Sequence, residues 1–345
     1  MAATLHDVAR VANVSIKTVS NVINDYPHIR PETKQRVVDA IAELGYRPNL
    51  SARSLRSGRT GVIGLALPEL SLSYFAELAD SVIKAADARG VTVLIEQTGG
   101  ERQREIELLS SPRRQLTDGL LFSALGMGND DAHYLNVSYP LVLLGERIFG
   151  GPTDHVTMVN VDAARAATEH LIRSGRKRIA VVGAHDGEVI GSAGLRLRGY
   201  REALEAAGIP FDPTLIAYTT LWHRANGATS MRQLLATGVK FDAVFALNDT
   251  LALGAMRVLQ EAGLTIPTDV AVIGFDDLDE ARYSLPTLST IDPGRNEIAT
   301  TAVRVLLDRI AGVEPTAPMT EYLAEFHLVE RESTGARRTS IETIR

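Results

Sequence analysis

Leu5, Val8, Ala9 and Ala12 recur at helical spacing, and Thr4 followed three residues later by Asp7 has the form of a capping box, so the chain is predicted to open on a helix. Asn13 and Val14 interrupt the pattern, and Asn tolerates the left-handed conformation that a tight turn needs. Ser15 then caps a second helix whose inward face is Val19, Val22 and Ile23. After a loop through Tyr26 and Pro27, Pro31 suits a first helical position. Val37, Val38, Ile41 and Leu44 supply that third helix with an apolar stripe, and Gly45 stops it. The stretch 49–58 is too short to hold a helix alone and reads as a linker that becomes helical only when something supports it.

From Thr60 the texture changes. Apolar runs at 62–67, 91–95, 119–122, 141–144 and 156–159 read as buried strands, and a second series follows at 179–182, 215–218, 243–247 and 270–275. Amphipathic segments at 75–89, 164–174, 195–207, 226–237 and 250–262 lie between them. Such alternation predicts doubly wound parallel sheets, and two series predict two lobes, with ligand chemistry at strand C-terminal ends and in the cleft between lobes. The expected division is a head at 1–48, a linker at 49–58 and a body at 60–345. The first lobe takes about 60–161 plus 293–322, and the second about 162–292 plus 323–345.

Length and composition fit this picture. At 345 residues the chain exceeds one ordinary core, and the absence of cysteine removes disulfides, thiolate catalysis and cysteine-ligated zinc while suiting a reducing cytoplasm. No export signal or membrane-length apolar run is visible, so a cytoplasmic protein without a membrane partner is expected. The net charge of -6 is uneven: residues 1–60 carry nine Lys or Arg against five Asp or Glu, net +4, which leaves -10 for the remainder. A basic head on an acidic body points to a polyanion partner for the head alone.

Two short helices joined by a tight turn and followed by a third make a helix-turn-helix unit. On the second helix Ile16, Lys17 and Asn21 fall outside the apolar face, near the end that enters a major groove. Lys pairs with guanine, Asn with adenine, and Ile packs on a thymine methyl. Thr4, Ser15, Thr18, Ser20 and Asn24 offer short polar groups suited to phosphates, although a polar helix face is also simply a solvated one.

The segments Thr4-Leu5-His6-Asp7-Val8-Ala9, Val14-Ser15-Ile16-Lys17-Thr18-Val19-Ser20-Asn21-Val22-Ile23-Asn24 and Leu44-Gly45-Tyr46-Arg47-Pro48-Asn49 resemble the head of the lactose-repressor (LacI/GalR) family. The resemblance continues more diffusely to about Ser333. It implies a periplasmic-binding-protein-like body and a homodimer reading a pseudo-palindromic double-stranded DNA operator. It also implies a hinge helix at 49–57, with Leu55 wedging into the minor groove beside Ala52. The family's tetramers use a C-terminal leucine-heptad helix. After Gly335 only Ile341 and Ile344 are large and apolar, so a dimer is expected. Asn13 departs from the family's usual Gly.

In the body, Asp276 and Asp277 follow one strand, Asn248 and Asp249 another, Arg198 sits early in a helix, and Trp222 is the single tryptophan. These groups supply donors, acceptors and a stacking face for a sugar or a purine. Each also has a plainer role: a helix cap, a loop acid, a surface ion pair, or packing. The resemblance implies effector contacts at Arg198, Trp222, Asn248 and Asp276, with Tyr74, Phe75 and Glu146 lining the first lobe. Leu72-Ser73-Tyr74 stands where the family often has Asn-Pro-Phe. No P-loop, G-x-G-x-x-G, G-x-S-x-G or paired-His zinc helix is present, so neither an enzyme, a cofactor nor a metal is expected. The expected function is a repressor released by a sugar or sugar derivative. A corepressor-type regulator taking a nucleobase is the nearest alternative, with a transport-type sugar-binding protein or a sugar-metabolising enzyme further off.

Overall fold

The structure, a computed structural model, describes residues 3–23, 26–46, 59–313 and 320–335. The chain divides into two compact units between Gly61 and Val62.

Among the described residues the first unit contains three helices, α1 (Leu5–Val11), α2 (Ile16–Ile23) and α3 (Pro31–Leu44). The capping box is formed: the Asp7 N–H donates to Thr4 Oγ1 at 3.3 Å, and the Thr4 N–H donates to Asp7 Oδ2 at 3.0 Å. Asn13 takes φ 51° in the turn, and the Thr18 N–H donates to Ser15 Oγ at 3.1 Å to start α2. Val8, Val19 and Val37 are wholly buried, with Ala9, Ala12, Val22, Ala40 and Tyr46 around them. Val38 does not join them. It is 44% exposed, because the stripe of α3 runs through 37, 40, 41 and 44, and one further residue turns the side chain about 100° away.

The second unit carries two parallel sheets. The first contains β1 (Val62–Leu67), β2 (Thr92–Gln97), β3 (Leu120–Ser123), β4 (Leu141–Leu144) and β5 (Asp154–Met158). A late strand, β11 (Glu321–Ala324), completes it in the order β11-β5-β4-β3-β1-β2, all parallel. Helices α4 (Ser73–Asp87) and α5 (Arg102–Leu109) belong to this lobe, as does α11 (Arg295–Ile310). Strand β1 is Val-Ile-Gly-Leu-Ala-Leu, apolar throughout because both of its faces are covered.

After β5 the chain crosses to the second lobe through α6 (Asn160–Arg173). There β6 (Ile179–Ala184), β7 (Ile216–Tyr218), β8 (Ala243–Ala246) and β9 (Ala271–Ile273) form a parallel sheet in the order β7-β6-β8-β9. Helices α7 (Ser192–Ala206), α8 (Arg224–Ala236), α9 (Asp249–Glu261) and the short α10 (Asp279–Tyr283) connect and cover it. Strands β10 (Thr290–Asp292) and β12 (His327–Val329) pair antiparallel, so the chain returns to the first lobe after β10 and leaves it again after β11. The last crossing follows Ala324, two residues beyond the border expected near 322.

Helices α8 and α9 touch backbone to backbone. A Cβ on Gly254 falls 2.0 Å from the Arg224 carbonyl oxygen, and one on Gly227 falls 2.3 Å from the Leu251 carbonyl oxygen. A rigid helix cannot yield to a methyl placed there. Gly254→Ala is therefore expected to destabilise the body by about 1–3 kcal/mol, read as a lower melting temperature in calorimetry.

Candidate functional site

On the head, Ile16 is 40% exposed, Lys17 is exposed and Asn21 is half-buried, all on α2. Ser20 and Thr18 are half-buried. The Ser15 and Thr18 hydroxyls bond each other at 2.8 Å, and Thr4 Oγ1 donates to Asp7 Oδ2 at 2.7 Å, so three of the short polar groups hold helix starts. Asn24, Ala52 and Leu55 lie outside the described residues.

In the body the strands of both sheets end at a common cleft, which encloses about 180 Å³. The first lobe contributes Tyr74 and Phe75 from the first turn of α4 and Glu146 from the loop after β4. The second contributes His185, Glu188, Arg196, Trp222, Asn248 and Asp276. Tyr74, Phe75, Glu146, Trp222, Asn248 and Asp276 are thus brought together. Arg198 is not. Its side chain is 67% exposed and pairs with Glu202 at 2.7 Å, one turn along α7. The buried face of α7 passes through Ala193, Arg196, Tyr200, Ala203 and Leu204, so the guanidinium at the cleft is that of Arg196, two positions earlier.

Arg196 is 2% exposed. Its Nε donates to Asn160 Oδ1 at 2.8 Å, Nη1 to the Leu247 carbonyl at 2.5 Å, and Nη2 to Met158 Sδ at 3.4 Å. The guanidinium lies 3.5 Å from the Phe275 ring centroid and 5.3 Å from that of Trp222. A cation this deep needs a counter-charge, and Asp276 Oδ1 stands 3.7 Å from Nη1.

Asp276 is held by its backbone. Its N–H donates to the Ile291 carbonyl at 2.8 Å, its own carbonyl accepts from Arg295 Nη1 at 2.7 Å, and it adopts φ 115°. Such a conformation costs of order 1–3 kcal/mol and persists where neighbours dictate it. No described residue donates a hydrogen bond to the Asp276 carboxylate. Burial pushes its pKa up to about 7, against the pull of Arg196 and Arg295. Burial likewise raises the Tyr74 phenol far above its usual value, helped by Glu146 and Asp276, so its hydroxyl keeps its proton.

The remaining groups are partly committed. Glu146 accepts from Ser192 Oγ at 2.6 Å and Thr157 Oγ1 at 3.3 Å. Trp222 Nε1 donates to the Gly183 carbonyl at 2.8 Å. Asn248 Oδ1 caps α9 by accepting the Leu251 N–H at 2.8 Å, the plainer role foreseen for it. Across the mouth, His223 meets Glu69 at 2.9 Å, Ser73 donates to Glu280 at 2.9 Å, and the Asp279 N–H donates to Glu77 at 3.0 Å. Arg196, Glu188, Ser192 and His185 were not foreseen. For Arg196 the helical period carried the signal, whereas the 185–191 loop has no period to read. Among the described residues no cluster of His, Asp and Glu suits a metal ion, and no helix is long and apolar enough to cross a membrane.

Comparison with known proteins adds two family matches. The profile of bacterial regulatory proteins of the lacI family matches residues 4–49, and that of the periplasmic binding protein-like domain matches residues 168–334. The transcriptional regulator CelR of Thermobifida fusca is 36% identical, over 96% of this chain and 98% of its own. A solved CelR–cellobiose complex superposes with a TM-score of 0.70 at 34% identity, covering 96% of this chain and 99% of the other. The Lac repressor dimer bound to operator and an anti-inducer superposes with a TM-score of 0.83 at 29% identity, covering 97% and 100%.

The Asp276 carboxyl keeps its proton to a higher pH in the folded chain than the ordinary 3.8 of an unfolded one. Its stabilising contribution is therefore complete below that value and drains away as pH rises through about 7. Asp276→Asn cannot ionise. In ligand-free protein its melting temperature relative to the native chain is expected to rise from about pH 5 to about pH 7, by roughly 2 °C or more, and then level off.

Proposed function

The chain belongs to the LacI family of bacterial regulatory proteins and is a ligand-responsive, DNA-binding transcription regulator, and we propose that it is a dimeric repressor released from its operator by an uncharged sugar held between the lobes. The observation that carries the ligand reading is the Asp276 carboxylate. It is 3% exposed, lines the cavity and receives no hydrogen bond from a described residue. A buried acceptor in that condition favours a ligand rich in hydroxyl donors. Glu146 offers a second carboxylate, the Tyr74 hydroxyl a further donor, and the Trp222 and Phe75 rings apolar faces for the C–H side of a sugar. The cellobiose complex of the CelR relative supports the same ligand class.

On the DNA side, Lys17, Asn21 and Ile16 are assigned to base edges, while Thr4, Ser15, Thr18, Ser20 and Asn24 position the head on phosphates. Ala52 and Leu55 are assigned to the minor groove. The operator-bound Lac repressor dimer supports both this assignment and a homodimer.

A sugar screen on the full-length protein tests the proposal. The right sugar is expected to change Trp222 fluorescence and to weaken operator binding. Asp276→Ala should abolish both responses and leave operator affinity intact, whereas the exposed Arg198→Ala should respond like the native chain. Lys17→Ala or Asn21→Ala should cost about 1–3 kcal/mol at the cognate base pair in a gel-shift series of operator variants. A sugar that releases the Asp276→Ala protein undiminished contradicts the cleft assignment.

A further inference from the structure

One carboxylate on the cavity wall lies in a setting built for an anion that arrives from outside. Glu188 Oε1 accepts the backbone N–H groups of Ala193 at 3.2 Å and Gly194 at 3.3 Å, in the first turn of the 15-residue helix α7. Its Oε2 accepts from Arg147 Nη1 at 2.9 Å and from His185 Nδ1 at 2.9 Å. Arg147 comes from the first lobe and the other three donors from the second, and Arg147, His185 and Ala193 line the cleft together with Glu188.

Backbone amides at a helix N-terminus, a guanidinium and an imidazole make up the donor set that proteins use to grip a phosphate group. Here an attached side chain fills it. The surrounding loop leaves no room for anything bulkier at its turn. Gly191 sits at φ 113°, and a Cβ there falls 2.6 Å from Glu188 Oε1 and 2.7 Å from Arg147 Nη1. Arg147 Nε is buried without a partner, so donor capacity beyond the four bonds is already present. Burial raises the Glu188 carboxyl, but the His185 hydrogen bond and the charges of His185 and Arg147 outweigh it and hold the group below its usual value. The remaining wall is no kinder to an anion. Glu146 and Asp276 are buried carboxylates, and the Arg196 nitrogens are committed to Asn160, Leu247 and Met158.

We propose that Glu188 is a specificity-determining residue, a resident anion that occupies the Arg147–His185–α7 donor cluster and thereby excludes phosphorylated ligands from the cleft. This rests on the reading of the cleft as the effector site and narrows it to ligands without an anionic group. Without the Glu188 carboxylate, the same donors pass to an incoming phosphate.

The test titrates inorganic phosphate into the full-length native protein, Glu188→Ala and Glu188→Gln, followed by calorimetry and Trp222 fluorescence at ionic strength matched with sodium chloride. Glu188→Ala is expected to bind phosphate at least about tenfold more tightly than the native chain, and Glu188→Gln to show a smaller gain. Adding Arg147→Ala to Glu188→Ala should erase the gain. Glu188→Gln, which keeps the side chain's shape, carries the test if the alanine variant does not fold. Equal phosphate affinity in the native protein and in every folded Glu188 variant overturns the proposal. So does a gain that survives the loss of Arg147. A neutral-sugar screen on the native protein runs in parallel. Failure there, with the phosphate gain intact, counts against the effector reading and leaves the role of Glu188 standing.

Discussion

A guanidinium removed from water between two lobes has to be compensated on every side, and the arrangement around Arg196 meets that demand. Its three nitrogens reach Asn160 and Met158 at the first crossing between lobes and the Leu247 carbonyl at the end of β8. The Phe275 and Trp222 ring centroids lie 3.5 and 5.3 Å from it, and once ionised, above about pH 7, Asp276 supplies a counter-charge at 3.7 Å. Removing one member of such a set leaves an uncompensated buried charge, at a cost of about 3–5 kcal/mol. Because Asp276 and Trp222 also face the cavity, whatever binds there touches the network that joins ligand site and crossing strand.

That placement gives a physical route from ligand to DNA without a wire of contacts between them. A ligand shifts a conformational equilibrium only by its differential affinity for the two states. Residues from both lobes line this cleft, and the ties at its mouth also join the lobes, so lobe arrangement is the variable a cleft ligand reads. A half-exposed pair such as His223–Glu69 contributes little on its own. Such ties are strong enough to set a preference and weak enough to be overridden by a ligand with several hydrogen bonds. Glu188 adds a constraint of sign, since a carboxylate of the chain itself already occupies the Arg147–His185–α7 donor cluster.

Much of this was legible in the sequence, and the failures are instructive. The apolar runs located the inner strands of both sheets because a strand buried on two faces is uninterrupted; β2 and β7, expected to be buried as well, lie at sheet edges and are partly exposed. The capping box at Thr4 and the turn at Asn13 were readable because each is a local hydrogen-bond or backbone requirement. Strands β10, β11 and β12 are three or four residues long and half polar, so they left no run to detect. The family resemblance implies Arg198, whereas the period of α7, through Ala193, Tyr200 and Leu204, points to the inner Arg196. Val38, apolar and adjacent to Val37, lies one residue off the stripe of α3 and is exposed. Glu188 was beyond reach, because its meeting with Arg147, 41 residues earlier, depends on how two lobes close.

The central claim is that a ligand seated beside Trp222 and DNA held by the head are coupled through one equilibrium, and thermodynamic linkage makes that claim measurable. The Kd of the active sugar, read from Trp222 fluorescence, is determined with and without saturating operator, alongside the Kd of operator with and without saturating sugar. The two ratios are predicted to be equal, because coupling between two sites is reciprocal. A sugar that weakens operator binding while its Trp222-reported Kd is unmoved by operator would contradict the account.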